Sequence, residues 1–117
     1  MTREELNKLL ALDSETEQLE FKESSGQISI LGKDQEKTIK KSLLGYCVAI
    51  GNEGGGHLVL GVKNKINLKT GMRDIAGKNA IQNIQKAKEE IYKVLGRSIV
   101  IEEIPTEKGK VQIVSIQ

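Results

Sequence analysis

The stretch Gly45–Val62, GYCVAIGNEGGGHLVLGV, holds six of the chain's twelve glycines, three of them consecutive. Before the glycines, from about Gln35 to Ile50, Ile39, Leu43, Tyr46, Cys47 and Ile50 recur at helical spacing. Lys37, Lys40 and Lys41 fall largely on the other side, so the segment reads as an amphipathic helix with a basic exposed face near its N-terminus. After the glycines, HLVLGV is apolar at both alternating sets of positions, which marks a strand covered on both faces. The local order is therefore helix, glycine turn, buried strand.

That order limits what the loop can do. A phosphate loop of the NTPase type needs G-x-x-x-x-G-K-[ST], with lysine to neutralise phosphate and a hydroxyl to hold magnesium. Gly51 and Gly56 have the separation, but His57 and Leu58 stand at the lysine and hydroxyl positions. A dinucleotide loop needs G-x-G-x-x-G between a strand and a helix, and neither spacing nor order is met. Polarity also opposes both: anions gather at helix N-termini, and this loop follows a helix C-terminus. Gly51 or Asn52 in the left-handed conformation would close the helix, and the glycines let the chain reverse into the strand. Three glycines exceed what a cap needs. For Asn52, Gly54, Gly55 and Gly56 two readings stay open: turn geometry alone, or close approach to another backbone or a ligand.

Working outward, Thr2 and Glu5 have capping-box spacing, and Leu6, Leu9 and Leu10 form one stripe, so Thr2 to about Leu12 reads as a short helix. In EQLEFKES, Leu19 and Phe21 alternate with Glu20 and Lys22, a strand with its charged pair opposite the core. SSGQISILGKD fits a short strand or a loop. Downstream, KNKINLKTGMRDIAGKN combines turn formers with five cations and reads as an irregular basic connection. A helix over about Asn79–Leu95 would turn Ile81, Ile84, Ile91, Val94 and Leu95 inward and end at Gly96. SIVIEEI and KVQIVSI flank PTEKGK as a hairpin. The order α-β-α-β-α-β-β predicts an α/β (α+β) fold, a small mixed sheet of about four strands packed by two main helices. Residues 1–117 read as a single domain. Its strand-like end at Gln117 is expected of the N-terminal part of a longer protein.

Composition sets the class. At 38% hydrophobic and 29% charged residues the chain suits a globular core, and with 3% aromatics that core is aliphatic. One cysteine, Cys47, cannot form an internal disulfide, which makes a reducing, cytoplasmic setting the default; among apolar helix positions it reads as a core thiol. The N-terminus lacks a signal-peptide core, and no apolar run approaches the roughly 20 residues that span a bilayer, so no membrane partner is expected. Charge is uneven: residues 1–36 carry four basic and nine acidic side chains, residues 37–97 twelve and four, and residues 98–117 two and three. A positive middle after an acidic start fits a basic binding face beside a carboxylate cluster, or equally a mixed solvated surface.

Glu15, Glu17, Glu20 and Glu23 crowd the first strand. Clustered carboxylates must be solvated, paired with cations or bound to metal. Glu15 and Glu20, with Lys22 beside Glu20, are candidates to hold Mg²⁺ or Mn²⁺ and a phosphate for phosphodiester cleavage, with a plain exposed charged face as the alternative. His57, the sole histidine, rules out a histidine-rich metal site within one chain.

Two motifs now combine. ETEQLEFK (Glu15–Lys22) has the form E-x4-E-F-K, and AIGNEGGGHLVLGV (Ala49–Val62) resembles A-f-a-N-x-x-G-G-x-L-x-x-G-V. In this order, separated by an amphipathic helix, they resemble the Schlafen-type Alba-like domain, also called the divergent AAA domain. The match is strongest over about residues 15–64. The resemblance implies a mixed α/β domain, typically at the N-terminus of bacterial transcriptional regulators or helicase-related proteins that continue into an ATP-binding or winged-helix region. It also implies nucleic-acid association. In vertebrate Schlafen nucleases the two glutamates of E-x4-E act with an aspartate just after G-V as a metal-dependent RNA-cleaving triad. Glu15 and Glu20 match the first two positions, but Gly61-Val62 is followed by Lys63 and Asn64. Asn64 offers a neutral oxygen, and Lys63 would repel a cation.

The leading reading is thus a nucleic-acid-binding domain, DNA ahead of RNA, with Lys37, Lys40, Lys41, Lys63, Lys65 and Lys69 on phosphates. Phe21, Tyr46 and Tyr92 are too few, and the tyrosines too helical, for a single-strand stacking platform. The alternatives are a metal-dependent endoribonuclease using Glu15 and Glu20, and a dimerisation or sensor module. In the last, a second copy or the C-terminal region of the same chain would be the partner.

Overall fold

A computed structural model of the chain describes residues 1–13, 15–16, 18–23, 28–32, 42–77 and 80–117. The described elements are α1 (Arg3–Leu10), β1 (Leu19–Lys22), α2 (Leu43–Asn52), β2 (Gly56–Leu60), β3 (Val62–Asn67), β4 (Met72–Ile75), α3 (Ile84–Leu95), β5 (Val100–Thr106) and β6 (Gly109–Ile116). Four strands form a mixed sheet in the order β1-β2-β6-β5, and β3-β4 form a separate two-stranded ribbon. Only β1 and β2 run parallel, with Leu19 opposite His57 and Lys22 opposite Leu60. The chain is therefore mixed α/β with a four-stranded sheet, as its element order predicts.

The double apolar pattern of HLVLGV has a direct structural cause. β2 lies between β1 and β6, and its side chains enter two cores. Leu58 and Leu60 pack with Leu43, Cys47, Ile50, Ile91 and Val114, under α2 and α3. Val59, together with Val62, packs with Leu6, Leu10, Phe21, Ile104 and Ile113, under α1. The two main helices thus cover one face. α1 and the apolar side of the ribbon, Met72 and Ile75, cover the other. Burial pushes the Cys47 thiol up to about 12, so it stays neutral in the helix-side core.

Local chemistry sets the boundaries. Thr2 and Glu5 form the reciprocal capping box at α1. Ser42 caps α2 by accepting from the Gly45 amide at 3.1 Å, and its extended backbone starts the helix at Leu43. An unbroken helix from Gln35 is therefore ruled out by the conformation of Ser42. The expected basic face at Lys37, Lys40 and Lys41 lies outside the described residues. Gly96, left-handed at φ 68°, ends α3 where its spacing predicts. That helix starts later than expected, at Ile84, because Asn83 caps it through the Lys86 amide. Ile81 is held ahead of it: the Gln112 side-chain amide, fully buried, bonds both the Ile81 carbonyl and its amide, at 2.7 and 2.8 Å. Val94, expected inward, is 54% exposed.

The largest correction concerns residues 63–77. The irregular connection is an antiparallel ribbon, with Val62 opposite Ile75 and Ile66 opposite Arg73, so three residues of β3 face one of β4. The bulge leaves Lys63, Asn64 and Lys65 exposed in succession, which erases the period of two that would betray a strand. Arg73, counted in the sequence among the surface cations, is 4% exposed. Its Nε donates to the Asn64 carbonyl at 2.9 Å, its Nη1 to the Leu10 carbonyl at 3.3 Å and to that of Leu12, and its guanidinium lies 4.1 Å from the Phe21 ring centre. The Leu10 carbonyl is the last of α1, where a cation complements the helix dipole, and that of Leu12 lies just beyond the Ala11 cap.

The glycine loop is also settled. α2 ends at Asn52, and the left-handed residue that follows is Gly54, at φ 91°, in place of Gly51 or Asn52. A Cβ on Gly55 would lie 2.6 Å from the Ile116 carbonyl oxygen, and one on Gly56 would lie 2.0 Å from that of Gln18. Close approach to another backbone is the reason for the extra glycines: the loop threads between the ends of β1 and β6.

Three substitutions test these contacts through stability. Gly56→Ala must clash with backbone and should cost about 3 kcal/mol by denaturant unfolding. At Gly71, equally left-handed at φ 74° but with open space around it, alanine should cost only about 1 kcal/mol. Arg73→Lys, whose ammonium cannot reach all three carbonyls, should lose about 2 kcal/mol; an unchanged unfolding midpoint would contradict this role for the guanidinium.

Candidate nucleic-acid interface

β1 is an edge strand, and its outer side is blunted by its own neighbours. Thr16 and Leu19 exchange backbone hydrogen bonds at 3.2 Å, and the Phe21 amide donates to Glu15 Oε1 at 2.9 Å. Glu15 thus satisfies an edge amide that no strand pairs. On the α2 side of the strand, Lys22 Nζ lies 3.0 Å from Glu20 Oε1 and 5.5 Å from the centre of the Tyr46 ring. Burial lowers the pKa of Lys22, but the hydrogen bond to Glu20 and the neighbouring Tyr46, Glu20 and Glu15 outweigh it and hold the ammonium above its ordinary value.

The structure therefore brings Glu15, Glu20 and Lys22 onto one strand edge, with both carboxylates engaged. Among the described residues, no three His, Cys, Asp or Glu side chains gather so as to hold a metal. Glu23 is exposed, and Glu17 lies outside the described residues. For Glu15 and Glu20 to hold Mg²⁺ or Mn²⁺, the cation would have to displace Lys22 and compete with the Phe21 amide. Among the described residues, a carboxylate bonded to a backbone amide and another paired with an ammonium do not make a donor set for a divalent ion.

The loop residues are equally occupied. The Glu53, Gly54 and Gly55 amides donate back to Ile50, Gly51 and Ile50 carbonyls at 3.0–3.1 Å, and the Glu53 carbonyl accepts from Gln18 Nε2 at 2.8 Å. Three successive amides that would have to face a phosphate are spent on closing α2. Asn52 lines a shallow cleft of about 270 Å³ with Val48, Leu95, Arg97, Ile99 and Gln117. His57, at the start of β2, shares a hydrogen bond with Ser115 across the strand pair, Nδ1 to Oγ at 2.9 Å.

The ribbon offers the free cations. Lys63, Lys65 and Lys69 are all exposed, and among the described residues none of their ammonium groups is in an ion pair. Lys63 and Lys65 sit in the bulge, whose middle carbonyl Arg73 holds. Lys69 sits on the turn. The ribbon root adjoins the end of β1, because the Gly61 amide donates to the Lys22 carbonyl at 2.8 Å, while the Gly61 carbonyl accepts from Ala76 and Gly77. The basic ribbon and the carboxylate edge are thus neighbours. Lys37, Lys40 and Lys41 lie outside the described residues. Sequence reasoning missed Leu68, at the ribbon tip and 95% exposed; one leucine in a polar turn carries no periodic signal.

Comparisons with known proteins agree with this architecture. A family model, Schlafen, AlbA_2, matches residues 15–117. The solution NMR structure of the N-terminal domain of a protein from Nitrosomonas europaea, named for its relation to the ATP-dependent DNA helicase RecG, is similar at 22% identity and a TM-score of 0.54. The likeness covers 94% of this chain and 71% of that one. No curated protein matches the chain. The chain belongs to the Schlafen AlbA_2 family.

Two substitutions of Glu15 should separate. Glu15→Gln keeps an acceptor for the Phe21 amide and should leave stability nearly unchanged, whereas Glu15→Ala should cost about 1 kcal/mol. Equal losses in chemical denaturation would show that the amide contact is not what Glu15 contributes.

Proposed function

We propose that this member of the Schlafen AlbA_2 family is a nucleic-acid-binding domain that grips DNA phosphates through the β3–β4 ribbon. The observation that carries the reading is the trio Lys63, Lys65 and Lys69, exposed and unpaired among the described residues on one rigidly rooted ribbon. Cations free of internal partners can neutralise phosphates and release their condensed counterions, a sequence-independent source of affinity. Lys37, Lys40 and Lys41 are the proposed second group. DNA is favoured over RNA on shape: two-stranded ribbons dock in the major or the minor groove of B-DNA, whereas the deep, narrow major groove of A-form RNA excludes them. The neighbour's name, which relates it to a DNA helicase, points the same way. On this reading the domain serves a bacterial, cytoplasmic transcriptional regulator or ATP-binding protein.

Metal-dependent cleavage by Glu15 and Glu20 has less behind it. Glu15 bonds the Phe21 amide, Glu20 pairs with Lys22, and Lys63 and Asn64 stand where the family's nucleases carry an aspartate.

The test is a binding titration on labelled DNA and RNA at several salt concentrations, with and without Mn²⁺. If three phosphates are neutralised here, the triple change of Lys63, Lys65 and Lys69 to Gln should reduce the slope of log K against log salt by about 2–3. A slope unaltered by the triple change would sink the proposal. Mn²⁺-dependent cleavage that disappears in Glu20→Gln would instead restore the nuclease reading.

A further inference from the structure

The ribbon tip holds an apolar side chain where water favours a polar one. Leu68, between Lys65 and Lys69, is 95% exposed, well beyond the next most exposed large hydrophobic among the described residues, Val100 at 55%. The turn beneath it is locked. The Lys69 amide donates to Asn67 Oδ1 at 2.9 Å, and the Thr70 and Gly71 amides donate to the Asn67 carbonyl at 3.1 and 2.8 Å. Asn67 Nδ2 lies 3.2 Å from each Asp74 carboxylate oxygen, and the Met72 amide donates to Thr70 Oγ1. At the root, Arg73 fixes the bulge through the Asn64 carbonyl.

A single exposed leucine is ordinary on a protein surface. One carried outward on a cross-braced turn, with cations on both sides, has a more specific chemistry. Apolar side chains on elements docked in the minor groove enter between base steps and unstack them, while neighbouring cations hold the phosphates. Pre-organising the turn removes the ordering cost that a floppy tip would incur on binding.

We propose that Leu68 is a wedge that inserts between base pairs of double-helical DNA, with Lys63, Lys65 and Lys69 on the flanking phosphates. This rests on the DNA-binding reading above and deepens it. The wedge selects sequence by deformability: pyrimidine–purine steps such as TA unstack most cheaply and become the favoured sites, without a hydrogen bond to any base edge. Leucine among lysines would also suit an anionic lipid surface, so lipid is an arm of the test.

The experiment uses the 117-residue chain and a duplex with 2-aminopurine at a central TA step. Wild type should raise the 2-aminopurine fluorescence on binding. Leu68→Ser should abolish that rise while the salt slope of binding persists, and Leu68→Phe should restore it. If wild type binds without a fluorescence rise, or Leu68→Ser gives the same rise, the wedge is overturned and the DNA-binding reading stands. Failure of wild type to bind duplex overturns the reading on which the wedge rests. Leu68-dependent binding to phosphatidylserine vesicles, with no distortion of the duplex, assigns the tip to lipid and overturns the wedge as well.

Discussion

Arg73 holds three parts of the molecule to one point. Its guanidinium reaches the last carbonyl of α1 and that of Leu12 just beyond it, the bulge carbonyl of β3 and the face of Phe21 on β1. A buried charge is costly unless its hydrogen bonds are made, and here backbone carbonyls and an aromatic face make them, with no carboxylate partner among the described residues. α1 has only eight residues, too few to persist alone in water. Leu6 and Leu10 bury its apolar side, and Arg73 satisfies its exposed end. The same contact stiffens the ribbon root, so the outer layer of the fold and the basic surface depend on one side chain.

Backbone proximity is the second constraint. β2 enters the sheet between β1 and β6 through a gap too narrow for a Cβ at Gly55 or Gly56. Gly77 and Gly109 show the same economy elsewhere: a Cβ on Gly77 would lie 1.9 Å from the Lys108 carbonyl oxygen, where the β5–β6 turn packs against the segment after β4. Glycine here serves packing of main chain on main chain. It leaves no amide row for a phosphate.

Charge divides along the same lines. Around β1, Glu15 is spent on an edge amide and Glu20 on Lys22, whereas among the described residues the lysines of the ribbon have no ion-pair partner. A surface with satisfied anions beside unsatisfied cations favours a polyanionic partner over a divalent ion. The absence of acidic residues at positions 63 and 64 belongs to the same pattern, since lysine at position 63 extends the basic surface where a metal site would need an anion.

Much of this was legible in the chain itself. Periodicity along a single element depends only on which residues follow one another. The buried strand through residues 57–60, the capping box at Thr2, the stop at Gly96 and the β5–β6 hairpin are therefore legible locally, whereas the break at Gly61 that sends Val62 into the ribbon is not. The motif pair around Glu15–Lys22 and Ala49–Val62 likewise marks the family. What tertiary structure alone decided are relations between distant segments. Arg73 looks like any surface cation until α1 and Phe21 close around it, and the bulge hides β3 from any period. Val94 keeps helical spacing yet is left more than half exposed. The fate of Glu15 likewise depends on a backbone amide six residues on, and the purpose of Gly55 and Gly56 on the backbone of Ile116 and Gln18, far off in sequence. Spacing determines which face a side chain takes; only the assembled chain determines what that face meets.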